Sequence, residues 1–180
     1  MPIELVLGGA RSGKSRFAEN RVHELTTPEK SMHYVATSEA LDDEMVSRIE
    51  HHQAQRGEGW KEWECPTSLA LQLLRFDEDD VVLIDCLTLW LNNVIYYQGK
   101  ACSNQSLQEE IEALAFALQQ CSAHVILVSN EVGMGVVPMG EVTRLFVDNA
   151  GRMNQIIAAV SQRVVFVAAG LPLVLKSGAD

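Results

Sequence analysis

Gly8-Gly9-Ala10-Arg11-Ser12-Gly13-Lys14-Ser15 follows directly on the mostly apolar run Ile3-Glu4-Leu5-Val6-Leu7. The octet has the form G-x-x-x-x-G-K-[ST], and a helix-period segment over 15–25 comes after it. Each residue type has a chemical reason. Glycines let the backbone wrap closely around phosphate oxygens with its N–H groups turned inward. Lys14 is placed to reach the β- and γ-phosphates, and Ser15 to hold Mg²⁺. The following helix adds the positive end of its dipole. Strand, loop and helix occur in the order that a phosphate-binding loop (P-loop) requires. Gly8, Gly9, Ala10, Arg11, Ser12, Gly13, Lys14 and Ser15 are therefore expected to bind a nucleoside triphosphate.

The remainder of the chain repeats the strand–helix alternation. Runs over 3–7, 33–37, 81–85, 125–129 and 164–168 read as strands, with a short last one over 173–175. They are nearly continuous apolar runs, as strands buried on both faces should be. Helical periodicity appears over 15–25, 41–55 and 141–162. Ser106-x-x-Glu109 reads as a capping box that opens another helix, with Leu107, Ile111, Leu114 and Leu118 on one face. The acidic run Asp77-Glu78-Asp79-Asp80 reads as a solvated turn. The expected fold is α/β, a three-layer P-loop NTPase arrangement with a mostly parallel central sheet, in one domain over 1–180. Val81-Val82-Leu83-Ile84-Asp85 ends a buried strand in a carboxylate, and Asp85 is expected beside the loop as the second Mg²⁺ partner.

Composition narrows the function. The 180 residues are 47% hydrophobic and 21% charged, with 14 Lys plus Arg against 24 Asp plus Glu and a net charge of −10. Such a surface is ill suited to nucleic acid. Anions can still be held locally by backbone dipoles and one lysine. The four cysteines form no C-x-x-C pair, which points to free thiols in a reducing compartment. The apolar stretch over 164–175 is too short to span a bilayer and is broken by Gly170 and Pro172. A soluble cytoplasmic protein is expected. A GTPase switch is disfavoured, because no N/T-K-x-D motif is present and D-x-x-G occurs only as Asp148-Asn149-Ala150-Gly151, inside a helical segment.

His51-His52 closes the segment over 41–55. On a helix at ~100° per residue, Leu41, Met45, Ile49 and His52 share a stripe. His51 projects from a flank with Glu44, Arg48 and Gln55. Adjacent histidines cannot chelate one metal from one helical face. His51 is the better placed of the two for nucleophilic attack on phosphorus; one exposed and one packed histidine on an ordinary helix is the alternative.

The octet, with Tyr34-Val35-Ala36-Thr37-Ser38 and Asp42-Asp43-Glu44-Met45 leading to Arg48-Ile49-x-His51-His52, resembles one enzyme family. It is the bifunctional adenosylcobinamide kinase / adenosylcobinamide-phosphate guanylyltransferase family of cobalamin biosynthesis. Ser129-Asn130-Glu131-Val132-Gly133-Met134-Gly135-Val136-Val137-Pro138 and Asp148-x-Ala150-Gly151-Arg152-x-Asn154-Gln155 agree with it, so the resemblance spans nearly the whole chain. It implies a RecA-like fold, a homotrimer and two reactions. ATP or GTP phosphorylates adenosylcobinamide; GTP then guanylylates a histidine that matches His51, and GMP passes to adenosylcobinamide phosphate. The implied site adds Arg48 to steady the transferring phosphate and Thr37, Ser38 and Glu64 as nucleotide contacts. Glu64 is equally readable as a solvated surface carboxylate. The loop over 130–138 either closes over the corrinoid or makes a tight packed turn. A monofunctional P-loop kinase for another alcohol, or a non-catalytic nucleotide-binding module, are the rival readings.

Overall fold

A computed structural model describes residues 2–39 and 57–178. The helix expected over 41–55, with Arg48 and His51, lies outside the described residues. Strands β1 (Ile3–Gly8), β2 (Ser31–Ala36), β3 (Trp60–Glu64), β4 (Asp80–Asp85), β5 (His124–Asn130), β6 (Arg163–Ala168) and β7 (Leu171–Lys176) form one sheet in the order β3-β2-β4-β5-β1-β6-β7. All neighbours pair in parallel except β7, which returns antiparallel on β6. Five α-helices accompany the sheet among the described residues: α1 (Lys14–Leu25), α2 (Leu69–Leu73), α3 (Leu87–Gln98), α4 (Asn104–Gln120) and α5 (Glu141–Val160).

The continuous apolar runs are explained by two cores. Ile3, Leu5, Leu7, Val82, Ile84, Val125 and Leu127 share one core with buried residues of α2, α3, α4 and α5. Val6, Val81, Leu83, Ile126 and Val128 share the other with Ala18 and Val22 of α1. Successive side chains point to opposite faces, so a strand covered on both sides must be apolar at every position. This is the expected three-layer P-loop fold. No helix among the described residues is long and apolar enough to cross a membrane.

Three local expectations change. The capping box belongs to Ser103 and Ser106, not Ser106 and Glu109: the Ser106 N–H donates to Ser103 Oγ at 3.1 Å and the Ser103 N–H to Ser106 Oγ at 3.0 Å, so α4 starts at Asn104. A serine at the third helical position closes the same reciprocal pair that a glutamate would. The acidic turn is not wholly solvated, because Asp80 opens β4 and accepts a 2.8 Å bond from buried His33 Nε2. The indole N–H of Trp63 donates to the other ring nitrogen of His33 at 2.9 Å, pinning edge strand β3 to β2. β3 itself is unexpected, since Trp60-Lys61-Glu62-Trp63-Glu64 is too charged to resemble the other strands; Lys61 and Glu62 suit an edge.

β1 carries one buried carboxylate. Glu4 accepts bonds from His124 Nε2 at 2.9 Å and from Arg21 Nη2 at 3.0 Å. Burial pushes its pKa up, but the hydrogen bonds and charges of His124 and Arg21 outweigh burial and hold it at about 2. Glu4→Gln should cost roughly 2–4 kcal/mol at pH 7, measured by urea unfolding, because the Arg21 guanidinium loses its carboxylate and His124 its hydrogen-bond acceptor. A carboxyl whose pKa falls on folding stabilises fully above its ordinary value of 4.5. The wild-type advantage should therefore shrink as pH drops toward 2; equal penalties at pH 7 and at the acid limit would contradict this.

Candidate active site

The carboxyl ends of β1, β2, β4 and β5 lie side by side, and a cavity of about 610 Å³ opens there. Ala10, Arg11, Lys14, Ser15, Ser38 and Asp85 line it. Elements far apart in sequence thus bring the loop, the β2 end and the β4 carboxylate to one place.

The loop conformation follows from its residues. Arg11 (φ 54°) and Gly13 (φ 95°) are left-handed, on either side of Ser12. That alternation turns successive N–H groups inward as an anion nest. The Ser12 N–H closes the turn on the Gly9 carbonyl at 3.3 Å, and α1 starts with the Phe17 N–H on the Gly13 carbonyl at 2.9 Å. The β6–β7 hairpin braces the loop from outside: the Gly170 N–H donates to the Ser12 carbonyl at 2.8 Å. A side chain at Gly8 would meet Ser12 Oγ and the Val167 carbonyl oxygen, each at 2.5 Å. Lys14 is buried, and its ammonium donates to the Gly9 carbonyl at 3.0 Å. That uses one of the ammonium's three donors and centres the charge over the loop.

Asp85 sits at the end of β4, where the Tyr34 hydroxyl donates to its Oδ2 at 3.3 Å. Ser15 and Asp85 offer hard oxygen donors to one cavity, the chemistry that magnesium prefers. No cluster of three His, Cys, Asp or Glu side chains suited to a metal exists among the described residues. The donor set therefore fits an ion held by one carboxylate, one hydroxyl and substrate phosphates, rather than by a cage of protein ligands.

Thr37 is fully buried behind the cavity. Its hydroxyl donates to the Cys86 carbonyl and accepts the Cys86 N–H, both at 2.8 Å. Asn93 of α3 holds the Thr37 carbonyl at 2.8 Å. Thr37 thus ties the β2 end to the residue after Asp85, while Ser38 is the one that faces the cavity. Glu64 is exposed on edge strand β3, level with Ala36 and one strand beyond β2. The cavity is also lined by Tyr34, Thr88, Asn92 and Phe146, which have no role predicted from sequence, and by Asn130, the first residue of the loop over 130–138. No local motif marks their place at the cavity: Tyr34 and Asn130 reach it through strand register, Asn130 opposite Gly8, and Thr88, Asn92 and Phe146 from helices α3 and α5. Cys86 also lines the cavity. Burial first, and the neighbouring Asp85 second, push its thiol up to about 11.

Comparison with known proteins decides the family. The profile of cobinamide kinase / cobinamide phosphate guanyltransferase matches residues 4–175. The chain belongs to that family. Its two activities are those of the cobinamide kinase / cobinamide phosphate guanyltransferase family: phosphorylation of cobinamide and transfer of a guanylyl group to cobinamide phosphate. Similar curated proteins include the bifunctional adenosylcobalamin biosynthesis protein CobP of Pseudomonas aeruginosa, 46% identical over 96% of each chain. CobU of Salmonella typhimurium is 40% identical over 96% of this chain and 98% of its own, and CobU of Escherichia coli is equally so. Among solved structures, the flagellar accessory protein FlaH of Methanocaldococcus jannaschii superposes with a TM-score of 0.56 at 12% identity, over 98% of this chain and 79% of its own, a likeness of fold alone.

Within this cobinamide kinase fold, Gly8 is the tightest backbone approach at the site. Gly8→Ala should weaken binding of a non-hydrolysable GTP analogue by tenfold or more. It should also cost about 1–3 kcal/mol of stability, since the Val167 carbonyl cannot move aside as a side chain can. Analogue titration and thermal melting check both; unchanged affinity would remove the close approach from the binding role.

Proposed function

We propose that the Lys14 cavity carries the kinase step and that His51 carries the guanylyl group. The observation behind the first half is the convergence of Lys14, Ser15, Ser38 and Asp85 on one cavity at the carboxyl ends of parallel strands. The cobinamide hydroxyl oxygen attacks the terminal phosphorus of ATP or GTP, and the bond from that phosphorus to the bridging oxygen breaks toward the nucleoside diphosphate. The nest of loop N–H groups and the Lys14 ammonium offset the charge that gathers on the phosphoryl oxygens. Ser15 and Asp85 would hold Mg²⁺, which when bound neutralises and orients phosphate oxygens. We place nucleotide contacts at Ser38 and, one strand further out, at Glu64, with Thr37 fixing the geometry of both Ser38 and Asp85.

In the second reaction an imidazole nitrogen of His51 attacks the α-phosphorus of GTP and pyrophosphate leaves. A phosphate oxygen of cobinamide phosphate then attacks the same phosphorus, and the histidine is released. Arg48 steadies the phosphate in transfer. The loop between β5 and α5 supplies the corrinoid surface in this reading: Met134, Val136, Val137 and Met139 are exposed rather than packed, on a loop that starts at the cavity. One domain carries both reactions. The implied homotrimer has a suitable surface in edge strand β7, where Leu171, Leu173, Val174 and Leu175 are all exposed. Four free cysteines suit a reducing cytoplasm.

Incubation with α- or γ-labelled GTP and Mg²⁺ tests the assignment. The α-label should attach to the protein, be acid-labile and base-stable, and vanish in His51→Ala but not in His52→Ala. Lys14→Ala should lower γ-phosphoryl transfer to cobinamide by at least ~100-fold. Full α-labelling of His51→Ala would move the nucleophile elsewhere, and an unaffected Lys14→Ala kinase would remove the loop from the kinase step.

A further inference from the structure

Asn130 ends β5, the strand between the P-loop strand β1 and the Asp85 strand β4. It stands level with Gly8 and lines the cavity. Its backbone is gripped by side chains on both sides. The Asn130 N–H donates to Thr88 Oγ1 at 2.7 Å, and Asn154 Nδ2 donates to the Asn130 carbonyl at 3.3 Å. Ser129 Oγ donates to Asn154 Oδ1 at 2.7 Å, and lies 3.4 Å from Thr88 Oγ1. The Ser129 proton is committed to Asn154, so Thr88 must donate to Ser129. The bonds therefore run one way round a closed ring, from Asn130 through Thr88 and Ser129 to Asn154 and back to Asn130.

Thr88, Ser129 and Asn154 are all buried. Such a ring is costly to leave half-satisfied, and it fixes one backbone position firmly. Yet the side chain that this ring holds in place has a buried Oδ1 with no hydrogen-bond partner among the described residues. A buried, unpartnered carboxamide oxygen on a rigid support, at the rim of a phosphate site, calls for a ligand.

We infer that Asn130 is a catalytic residue of the phosphoryl transfer, with Thr88, Ser129 and Asn154 as its positioning residues. The inference rests on the reading that the Lys14 cavity carries the kinase step. Phosphate oxygens only accept hydrogen bonds, so the carboxamide oxygen is matched to a donor, the acceptor hydroxyl of the cobinamide alcohol. The carboxamide N–H₂ is matched to an oxygen of the terminal phosphoryl group. Asn130 thus holds nucleophile and electrophile together. As the hydroxyl oxygen bonds to phosphorus, the bond to the bridging oxygen breaks with its electron pair going to the nucleoside diphosphate, and the hydroxyl proton passes to solvent. An amide is no base, and Asn130 takes no proton.

Steady-state kinase assays with cobinamide and γ-labelled GTP, paired with equilibrium binding of a non-hydrolysable GTP analogue, test this. Asn130→Ala should lower kcat by about 10²–10³-fold, as loss of an oriented donor does, with analogue affinity within about threefold. The isosteric Asn130→Asp keeps the packing and should lose at least as much kcat, since its charge repels phosphate. Ser129→Ala and Asn154→Ala should lower kcat about tenfold without raising KM for GTP, at a thermal midpoint recorded for each. A kcat loss below tenfold in both Asn130 variants, or one matched by an equal loss of analogue affinity, overturns the inference. Lys14→Ala separates the two readings. If it leaves kinase activity intact, the cavity assignment fails; if it abolishes activity while the Asn130 variants keep theirs, only the Asn130 role fails.

Discussion

The site depends on the parallel pairing of β1 between β5 and β6. That pairing sets Gly8 level with Asn130 on one side and with Val167 on the other. The chain must leave β1 here, turn over the sheet edge and enter α1 without a side chain at Gly8. The Val167 carbonyl and the Ser12 hydroxyl occupy the space a Cβ would need. Everything that follows, the left-handed residues, the inward N–H groups and the buried Lys14, is built on that contact. The loop is therefore clamped from below by the sheet and from outside by the β6–β7 hairpin through Gly170. A rigid nest needs no reorganisation as charge moves during phosphoryl transfer.

The same constraint explains how an acidic chain handles triphosphates. Ten excess negative charges are spread over the whole sequence. Screening over about 10 Å at ordinary salt keeps most of them from being felt at the loop. What a phosphate meets is local: oriented N–H dipoles, one ammonium, and the N-terminal end of α1. Of the carboxylates on these strands, Glu4 is paired with Arg21 and His124 at the opposite end, and Asp85 lines the cavity where the Tyr34 hydroxyl donates to it.

Much of this was readable from residues in order. Strand runs were visible because burial on both faces leaves few polar positions to blur them, and the P-loop because its spacing is a chain-local property. β3 and α3 were not. β3 is held by a tryptophan–histidine–aspartate chain and presents charge to solvent, so its composition resembles a loop. α3 follows Asp85 with no capping side chain and is apolar over most of its surface, giving little periodicity to detect. The site divides likewise. Lys14, Ser15 and Asp85 announce themselves by motif, whereas Thr37, read as a nucleotide contact, puts its hydroxyl on the Cys86 backbone. Tyr34 and Asn130 are matters of register between strands far apart in sequence, and Thr88 reaches the cavity from the start of α3.

Register also accounts for the economy of the arrangement. β5 lies between the strand that leads into the Gly8–Ser15 loop and the strand that ends in Asp85. Its last residue, level with Gly8, presents a short polar side chain to the cavity that both strands border. A flexible residue there would average over several geometries. The ring of Thr88, Ser129 and Asn154 removes that freedom by bonding both the N–H and the carbonyl of Asn130. Buried polar groups of this kind cost stability unless every partner is met. In this ring each of the four links is made, and Asn130 Oδ1, left unmatched among the described residues, is on the residue that faces the cavity. An unmatched group at the centre of a satisfied network is what a site prepared for a substrate's hydroxyl requires.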